Sequence, residues 1–311
     1  MSTAYLWHPV SLEHDTGVHV ETIARADRMN PANMRRLVPD LNVRPVEKHD
    51  TVEWILTVHE RAYHDFVSDA CIARHRLLDE GDTVICERSY DAALASVDAA
   101  LTAADLVMSG ECRTAFSAMR PPGHHALPGR AMGFCLFSNI SILARYLQRR
   151  HGIGQIAIVD WDVHHGNGTQ AIFYDDPSVF FVSLHQHPLW PGSGMRHERG
   201  EGPGMGYTLN IPIPPATPEA EYLARFDAEV LPALRKFAPE FILISAGFDA
   251  HRDDPLANLM LTESAFATLT DRVSEVAAET AGGRVISVLE GGYNLAALEK
   301  STAAHIMALG R

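Results

Sequence analysis

One stretch, residues 156–168, constrains the fold of this chain more than any other. It opens with Ile-Ala-Ile-Val, an apolar and largely β-branched run that is typical of a strand buried on both faces of a parallel sheet. Asp160, Asp162 and His164 follow at every second position, and in an extended chain this spacing directs their side chains to the same side. Such a polar group at the end of a buried strand is costly unless it binds a cation or has partners. The stretch therefore predicts a parallel sheet with a polar site at its edge.

A second motif supports a metal site at that edge. Asp249 follows the apolar run 241–244, so the carboxyl end of a parallel strand would bring it close to Asp162 and His164. Aspartate oxygen and histidine nitrogen are accepted zinc ligands, and three protein ligands leave positions open for water and substrate, as in catalytic sites. The same ligands also suit Fe²⁺ or Co²⁺. A solvated acidic strand end would explain one aspartate, but not the whole cluster.

Strand-like and helix-like segments alternate along the chain. Helical spacing covers residues 50–59, 89–108, 133–150, 219–236, 263–279 and 295–307. Strands are predicted at residues 3–7, 42–47, 114–119, 156–161, 179–185, 207–211, 241–246 and 285–289. This alternation predicts a parallel sheet covered by helices on both faces. Pro45 suits an edge strand better than a central one.

A histidine pair follows another predicted strand. The two prolines of Arg120-Pro-Pro-Gly-His-His-Ala end regular structure, so His124 and His125 are expected on a loop. Beside a metal site, one imidazole can act as general base and then as general acid. Each ring needs a partner for its second nitrogen, and Asp160 and Asn167 are available for this. Taken alone, the doublet could equally be accidental.

The last motif is Glu290-Gly-Gly-Tyr-Asn, directly after the predicted strand 285–289. Its glycines allow a sharp turn that presents Tyr293. The hydroxyl of this tyrosine is suited to donate a hydrogen bond to an oxyanion. From the motif alone, a tyrosine that only packs on the turn is an equal alternative.

Composition limits the functional classes. With 46% hydrophobic residues and a mean hydropathy of −0.06 in 311 residues, a large core is expected. A net charge of −13 argues against binding nucleic acid or anionic membranes, although not against basic peptides or polyamines as substrates. The four cysteines form no CxxC pair, as is normal in a reduced cytoplasm. Without a signal pattern, membrane span or linker, residues 1–311 are expected to form one soluble, cytoplasmic domain.

Five motifs in a fixed order give the chain a specific resemblance to a known family. They are Arg120-Pro-Pro-Gly-His-His-Ala, Met132-Gly-Phe-Cys, Asp160-Trp-Asp-Val-His-His-Gly-Asn-Gly-Thr-Gln, Ser245-Ala-Gly-Phe-Asp-Ala and Glu290-Gly-Gly-Tyr-Asn. From about residue 89 onward the chain resembles the zinc-dependent histone deacetylases, especially the class II branch with the bacterial histone deacetylase-like amidohydrolases. The first loop is less similar, because His19-Val-Glu stands where the family usually has His-Pro-Glu. The shape of the entrance is left open.

The resemblance implies the arginase/deacetylase fold, a single domain with an eight-stranded parallel sheet and helices on both faces. It also implies the roles of the site residues. Asp162, His164 and Asp249 match the zinc ligands, His125 the general base and acid, His124 the supporting imidazole, Tyr293 the oxyanion donor, and Asp160 and Asn167 the partners of the two histidines. Asn167 matches class II, where class I has aspartate.

Two structural potassium sites and a substrate channel are further implications of the resemblance. The first potassium site matches Asp160, Asp162, His164, Ser183 and Leu184, and the second matches Phe173, Asp176, Val179 and Tyr207. The channel positions match Gly133, Phe134, Trp190, Leu256 and Gly291. Trp190 replaces the more usual phenylalanine, a change that would narrow the channel or alter its acyl preference.

The resemblance favours removal of an acetyl or other short acyl group from N-ε-acyl-lysine in proteins or peptides. A deacetylase of acetylpolyamines or other small amides is the alternative, but the family's polyamine specialists use an acidic gatekeeper where this chain has Leu256. An arginase-like two-metal site would need aspartate where Gly166 stands. A non-catalytic acyl-lysine binder would be expected to lose Tyr293 or a zinc ligand, and all are present. The oligomeric state is left open, a homo-oligomer included.

Overall fold

Eight parallel strands form one sheet in the computed structural model, which describes residues 3–79 and 81–311. Their order across the sheet is β2-β1-β3-β8-β7-β4-β5-β6. The strands are β1 (Ala4–Leu6), β2 (Asn42–Arg44), β3 (Thr114–Ser117), β4 (Ile156–Asp160), β5 (Val179–Gln186), β6 (Thr208–Ile213), β7 (Phe241–Ala246) and β8 (Val285–Leu289). Each predicted strand is present, and β2, directly before Pro45, lies at an edge. The predicted parallel fold is confirmed.

The α-helices of the described residues lie in the connections between strands and after β8. They are α1 (Ile23–Arg28), α2 (Pro31–Met34), α3 (Thr51–Ile55), α4 (Arg61–Ile72), α5 (Ser89–Met108), α6 (Asn139–His151), α7 (Asn167–Phe173), α8 (Glu219–Arg225), α9 (Leu231–Phe237), α10 (Glu263–Thr280) and α11 (Leu295–Leu309). A π-helical segment, Phe226–Val230, joins α8 to α9. Helix α5 has the predicted bounds, whereas α1, α2, α4 and α7 were not predicted.

The predicted helix 133–150 begins only at Asn139, so the prediction is wrong for residues 133–138. Gly133 and Phe134 have φ angles of 57° and 67°, outside the right-handed helical region. The N–H of Cys135 donates to the carbonyl of Met132 at 3.0 Å, which closes a turn. Residues 133–138 therefore form a loop, although the spacing of their apolar side chains resembles that of a helix.

The sheet separates two hydrophobic cores. Along β4, Ile156 and Ile158 face a core that includes residues of α4, α5 and α6, whereas Ala157 and Val159 face a core with residues of α9, α10 and α11. All four side chains are fully buried. Because both faces of this strand are dry, polar groups can be accommodated only where it ends.

One buried histidine makes the stability of this fold depend on pH. His305 of α11 lies between the hydroxyls of Thr270 and Ser287, with nitrogen–oxygen distances of 2.6 and 2.8 Å. Burial lowers its pKa to about 3, whereas an unfolded histidine has a pKa of about 6.5. As the pH falls, the unfolded chain therefore binds this proton first, and the free energy of unfolding decreases between those two values.

We expect His305→Gln to be less stable at neutral pH but to show a shallower pH dependence. The change in slope should be at most about 1.4 kcal/mol per pH unit, measured by urea unfolding between about pH 6.5 and 4. The exposed His197 offers a matched control, because His197→Gln should keep the full slope. An unchanged slope in the His305 variant would contradict this explanation.

Candidate active site

Four neighbouring strands carry the predicted site residues to one edge of the sheet. Strands β3, β8, β7 and β4 are adjacent in that order, and a polar motif follows the carboxyl end of each. The motifs are the histidine pair after β3, Glu290-Gly-Gly-Tyr-Asn after β8, Asp249 after β7, and Asp162 with His164 after β4. Residues that are far apart in the sequence therefore converge because parallel strands end together.

Asp162, His164 and Asp249 form a compact group of potential metal ligands. One ligand atom from each lies within 4.8 Å of the others. Nδ1 of His164 is 3.2 Å from an oxygen of Asp162 and 3.1 Å from an oxygen of Asp249. Both aspartates are buried. The three residues predicted as zinc ligands are thus brought together in the geometry of a small cation site.

The electrostatics of this group favour a divalent cation. Burial and the nearby Asp162 raise the pKa of Asp249 to about 7. Burial disfavours a charged His164. The carboxylates of Asp162 and Asp249 outweigh the effect of burial and raise the pKa of His164 to about 10. A divalent cation would replace the protons that these groups attract. Two carboxylates and one imidazole therefore fit zinc, and equally Fe²⁺ or Co²⁺.

Backbone groups fix the remaining carboxylate oxygens. The N–H of Gly291 donates to Asp162 at 2.7 Å, and the N–H of Val163 donates to Asp249 at 2.8 Å. Gly291 was predicted to belong to the channel, but the structure places it against these carboxylates. Its missing side chain leaves room for them, because a Cβ there would overlap the carboxylates of both Asp249 and Asp162.

The two histidines lie together but have different partners. Nδ1 of His124 is 2.9 Å from Asp160, Nδ1 of His125 is 2.8 Å from the amide oxygen of Asn167, and the ring centroids are 3.9 Å apart. An amide oxygen only accepts, so Nδ1 of His125 carries the proton and Nε2 keeps its lone pair. The predicted partners of both rings are thus in place.

Burial and neighbouring charges separate the proton affinities of this pair. Burial disfavours a charged His124, but Asp160, Asp162 and Glu290 raise its pKa well above the usual value. Burial, reinforced by the adjacent His124, lowers the pKa of His125 well below the usual value. A cationic imidazole therefore stands beside a neutral one that can accept a proton.

Tyr293 is held at the end of its turn from two sides. Its N–H donates to Asp254 at 2.7 Å. The guanidinium of Arg25 lies 5.0 Å from the centre of its ring and donates to the carbonyls of Gly292 and Glu290 at 2.8 and 2.5 Å. Burial raises the pKa of Tyr293 well above its usual value, so the hydroxyl keeps its proton and can donate.

Several supporting residues were not found from the sequence. Buried Glu21 pairs with Arg25 and Arg120, and although burial opposes ionisation, these arginines lower its pKa to about 2. The carboxylate of Glu290 accepts the N–H groups of Gly123 and His124 at 2.7 and 3.1 Å. Arg120 and Glu290 stand inside recognised motifs, but the motifs gave no sign of their partners.

A cavity of about 470 Å³ leads to His125, His164 and Tyr293. Its lining includes the predicted Gly133, Phe134, Trp190 and Leu256, and also Val18, His19, Val20, Asp82 and Leu189. The ring of Phe134 lies 4.7 Å from that of His19 and 5.9 Å from that of Tyr293. The walls of the channel are thus mainly apolar and aromatic, as a chain of methylene groups requires.

The residues predicted for potassium lie at two ends of β5. At its carboxyl half, Ser183 pairs with Asp160 of β4, and Leu184 follows. At its amino end, the backbone turns through Phe173, Asp176 and Val179, and the carbonyl of Tyr207 accepts the N–H of Phe181 at 2.9 Å. Both sets are locally clustered, and their potassium sites stay predictions.

A parallel sheet with these motifs at its carboxyl edge defines the class as the arginase/deacetylase fold. The crystal structure of the HDA15 HD domain superposes with a TM-score of 0.91 at 32% identity, covering 100% of this chain and 88% of that one. The sequence model of the histone deacetylase domain matches residues 19–309. The chain therefore belongs to the histone deacetylase family, and the predicted resemblance is confirmed.

Named relatives come from bacteria and plants. The chain is 37% identical over 311 residues to a histone deacetylase-like amidohydrolase of Pseudomonas aeruginosa, covering 94% of this chain and 82% of that protein. It is 43% identical over 262 residues to histone deacetylase 10, chloroplastic, of Oryza sativa subsp. japonica, covering 80% of this chain but 58% of that protein. In the described residues, every helix is too short or too polar to cross a membrane.

Chelation should destabilise the wild-type protein if Asp162, His164 and Asp249 hold a metal. Loss of a ligand present at a hundredfold excess over its Kd costs about 2.7 kcal/mol, so a chelator should lower the Tm and added Zn²⁺ should restore it. Asp249→Asn should abolish both shifts. Asp253→Asn, the same change on an exposed neighbour, should keep them. Equal Tm values with and without chelator in the wild type would contradict a metal at this site.

Proposed function

We propose that this protein is a zinc-dependent deacetylase that hydrolyses N-ε-acetyl-lysine, or another short acyl-lysine, in proteins or peptides. The observation that carries the proposal is the convergence of Asp162, His164 and Asp249 with His125 and Tyr293 at the end of one largely apolar channel. Membership of the histone deacetylase family supports the reaction class.

Asp162, His164 and Asp249 would hold the zinc ion. When bound, the metal supplies a Lewis acid for the amide carbonyl and lowers the pKa of water. The buried pair of carboxylates suits this role, because their repulsion is relieved by a cation.

His125 moves the proton during the reaction. As the water oxygen bonds to the amide carbon, Nε2 of His125 accepts a proton from that water. The bond between the carbonyl carbon and the lysine nitrogen then breaks, and the nitrogen takes the proton from His125. The products are a carboxylic acid and a free amine, and His125 returns to its neutral form. Because Nδ1 of His125 donates its proton to the amide oxygen of Asn167, the lone pair of Nε2 stays available for the proton of the water.

Tyr293 and His124 stabilise the charge that develops. The protonated hydroxyl of Tyr293 is suited to donate a hydrogen bond to the carbonyl oxygen as it becomes negative. The cationic His124, paired with Asp160, adds positive charge beside the reacting group. Arg25 holds the carbonyls of Glu290 and Gly292 on either side of the turn that presents Tyr293.

Two alternatives to this activity find less support. A second metal ligand at position 166 has no room, because a Cβ on Gly166 would overlap the carboxylate of Asp160. This counts against an arginase-like two-metal centre. A non-catalytic binder would not require a neutral histidine, a retained tyrosine hydroxyl and a complete ligand set in one site.

A deacetylase of acetylpolyamines is the second candidate. One observation favours it, since Asp82 lines the channel and could attract the free ammonium group of such a substrate. The apolar Leu256, in the same lining, favours acyl-lysine instead. A carboxylate at the position of Leu256 would be the expected feature of a polyamine enzyme.

Substitutions at the proton carrier and the oxyanion donor should slow turnover by different mechanisms. We expect His125→Ala to lower kcat about 10²–10⁴-fold and Tyr293→Phe about 10²–10³-fold, with zinc content unchanged. The measurement is release of free lysine amine from acetyl-lysine and trifluoroacetyl-lysine peptides. His197→Ala, an exposed histidine, serves as control. Wild-type protein that contains zinc but turns over neither peptide would refute the proposed activity.

The substrate class can be tested at Leu256. Wild-type protein should prefer an acetyl-lysine peptide to N-acetylputrescine in direct competition. Leu256→Glu should shift the ratio of kcat/KM values toward the polyamine by about tenfold or more, since it adds a carboxylate that pairs with the ammonium group. Leu256→Gln, of the same size but uncharged, should leave the ratio close to wild type. A wild-type preference for N-acetylputrescine would favour the second candidate.

A further inference from the structure

The indole of Trp190 forms a part of the channel wall next to His125 and His164. Its ring lies 4.7 Å from that of His125 and 6.2 Å from that of His164, edge-on in both cases. Its outer edge approaches Gly133 so closely that a Cβ there would lie 2.5 Å from the indole. The side chain is nevertheless 45% exposed, so packing alone does not fix it. Something else must hold the backbone that carries it.

That backbone is a tight turn followed by an anchored segment. The N–H of Gly192 donates to the carbonyl of Leu189 at 2.9 Å and closes the turn around Trp190. The next residues are held by Glu198, whose carboxylate accepts the N–H groups of Gly194 at 3.0 Å and Met195 at 2.8 Å. The anchor thus begins within four residues of the indole.

Glu198 in turn is fixed to the body of the protein. It accepts a hydrogen bond from the amide nitrogen of Gln170 at 2.7 Å, and the amide oxygen of Gln170 accepts from Nε2 of His165 at 2.9 Å. Nδ1 of His165 lies 2.8 Å from the hydroxyl of Ser193. We call Glu198, Gln170 and His165, with the backbone of residues 193–195, the Glu198 clamp. It connects the Trp190 turn to α7 and to the residue that follows His164.

The clamp is closely packed and has one arrangement of donors and acceptors. Asn210 of β6 also donates to the amide oxygen of Gln170, at 2.7 Å. A Cβ on Gly194 would lie 2.5 Å from the ring of His185, so the segment is pressed against the sheet. Hydrogen bonds to a carboxylate are about twice as strong as those between neutral groups. Glu198 accepts hydrogen bonds from Gln170, Gly194 and Met195. The single oxygen of an amide side chain could not accept all three as strongly.

We propose that Glu198 is a positioning residue that fixes Trp190 against His125 and His164 and thereby makes the channel selective for short acyl groups. The inference rests on the proposed deacetylase function. With the clamp intact, the indole lies against both Gly133 and His125, and an acyl-lysine with a longer chain meets a fixed wall. Without the clamp, the turn that carries Trp190 can move away from His125. The ratio of kcat/KM for short and longer acyl groups should then fall.

An exchange of two side chains tests the clamp. Glu198→Gln removes one acceptor oxygen and sets the amide nitrogen of the new residue against that of Gln170. Gln170→Glu instead places two carboxylates in contact. The double variant Glu198→Gln, Gln170→Glu restores the pairing, because the carboxylate at position 170 accepts from His165, Asn210 and the amide at position 198, whose oxygen still faces Gly194 and Met195. Glu201→Gln, an exposed glutamate on the same loop, is the matched control.

Two readouts separate positioning from loss of structure. The first is the ratio of kcat/KM for acetyl-lysine and butyryl-lysine peptides, and the second is acrylamide quenching of Trp190 fluorescence, obtained by subtracting the same protein with Trp190→Phe. Each single variant should lower the acetyl preference about tenfold and increase quenching, with zinc content unchanged. The double variant and Glu201→Gln should match the wild type in both.

Unchanged quenching and selectivity in both single variants would overturn the inference. A double variant as perturbed as Glu198→Gln would also overturn it, because the clamp requires that exchanging the two side chains restores the pairing. A wild type without turnover on either peptide would refute the proposed function instead. In that case the quenching series still decides whether Glu198 holds Trp190, since fluorescence does not depend on activity.

Discussion

The site depends on the close approach of two buried carboxylates, Asp162 and Asp249, at the ends of adjacent strands. Both are almost fully buried, so each needs positive charge or hydrogen-bond donors around it. His164 touches both, the N–H groups of Gly291 and Val163 each satisfy one oxygen, and a divalent cation would complete the balance. The absence of a side chain at position 291 follows from the same constraint, because the backbone must come within hydrogen-bonding distance of a carboxylate.

The histidine pair shows how one environment gives two neighbouring rings opposite proton affinities. Both rings are buried, and burial alone would make both neutral. Asp160, Asp162 and Glu290 outweigh burial at His124 and raise its pKa, whereas at His125 burial and repulsion from His124 and His164 outweigh Asp162 and lower the pKa. The acid–base assignment thus comes from the partners of each ring and not from the rings themselves.

The sequence was sufficient for the fold and for the residues that follow strands, because both depend on local patterns. Apolar runs indicated the central strands β4, β5, β7 and β8, and the positions of the motifs after these strands grouped Asp162, His164 and Asp249 as candidate metal ligands. Contacts between distant segments have no such pattern. Arg25 and Gly292 are separated by 267 positions, and nothing near either one identifies the other. The helix predicted from residue 133 was wrong for a similar reason, because nothing in the spacing of apolar residues indicates the positive φ of Phe134, a non-glycine residue.

The contact of Arg25 with the turn at Glu290 also has a consequence for the order in which a ribosome could assemble this centre. Asp162, His164 and Asp249 are all synthesised before Tyr293, whereas the turn that presents Tyr293 is anchored by an arginine made near the start. A nascent chain can therefore contain all three proposed metal ligands while the proposed oxyanion donor is still unmade. Until β8 joins the sheet between β3 and β7, Arg25 can pair with Glu21 but lacks the two carbonyls of the turn to which it donates in the folded protein.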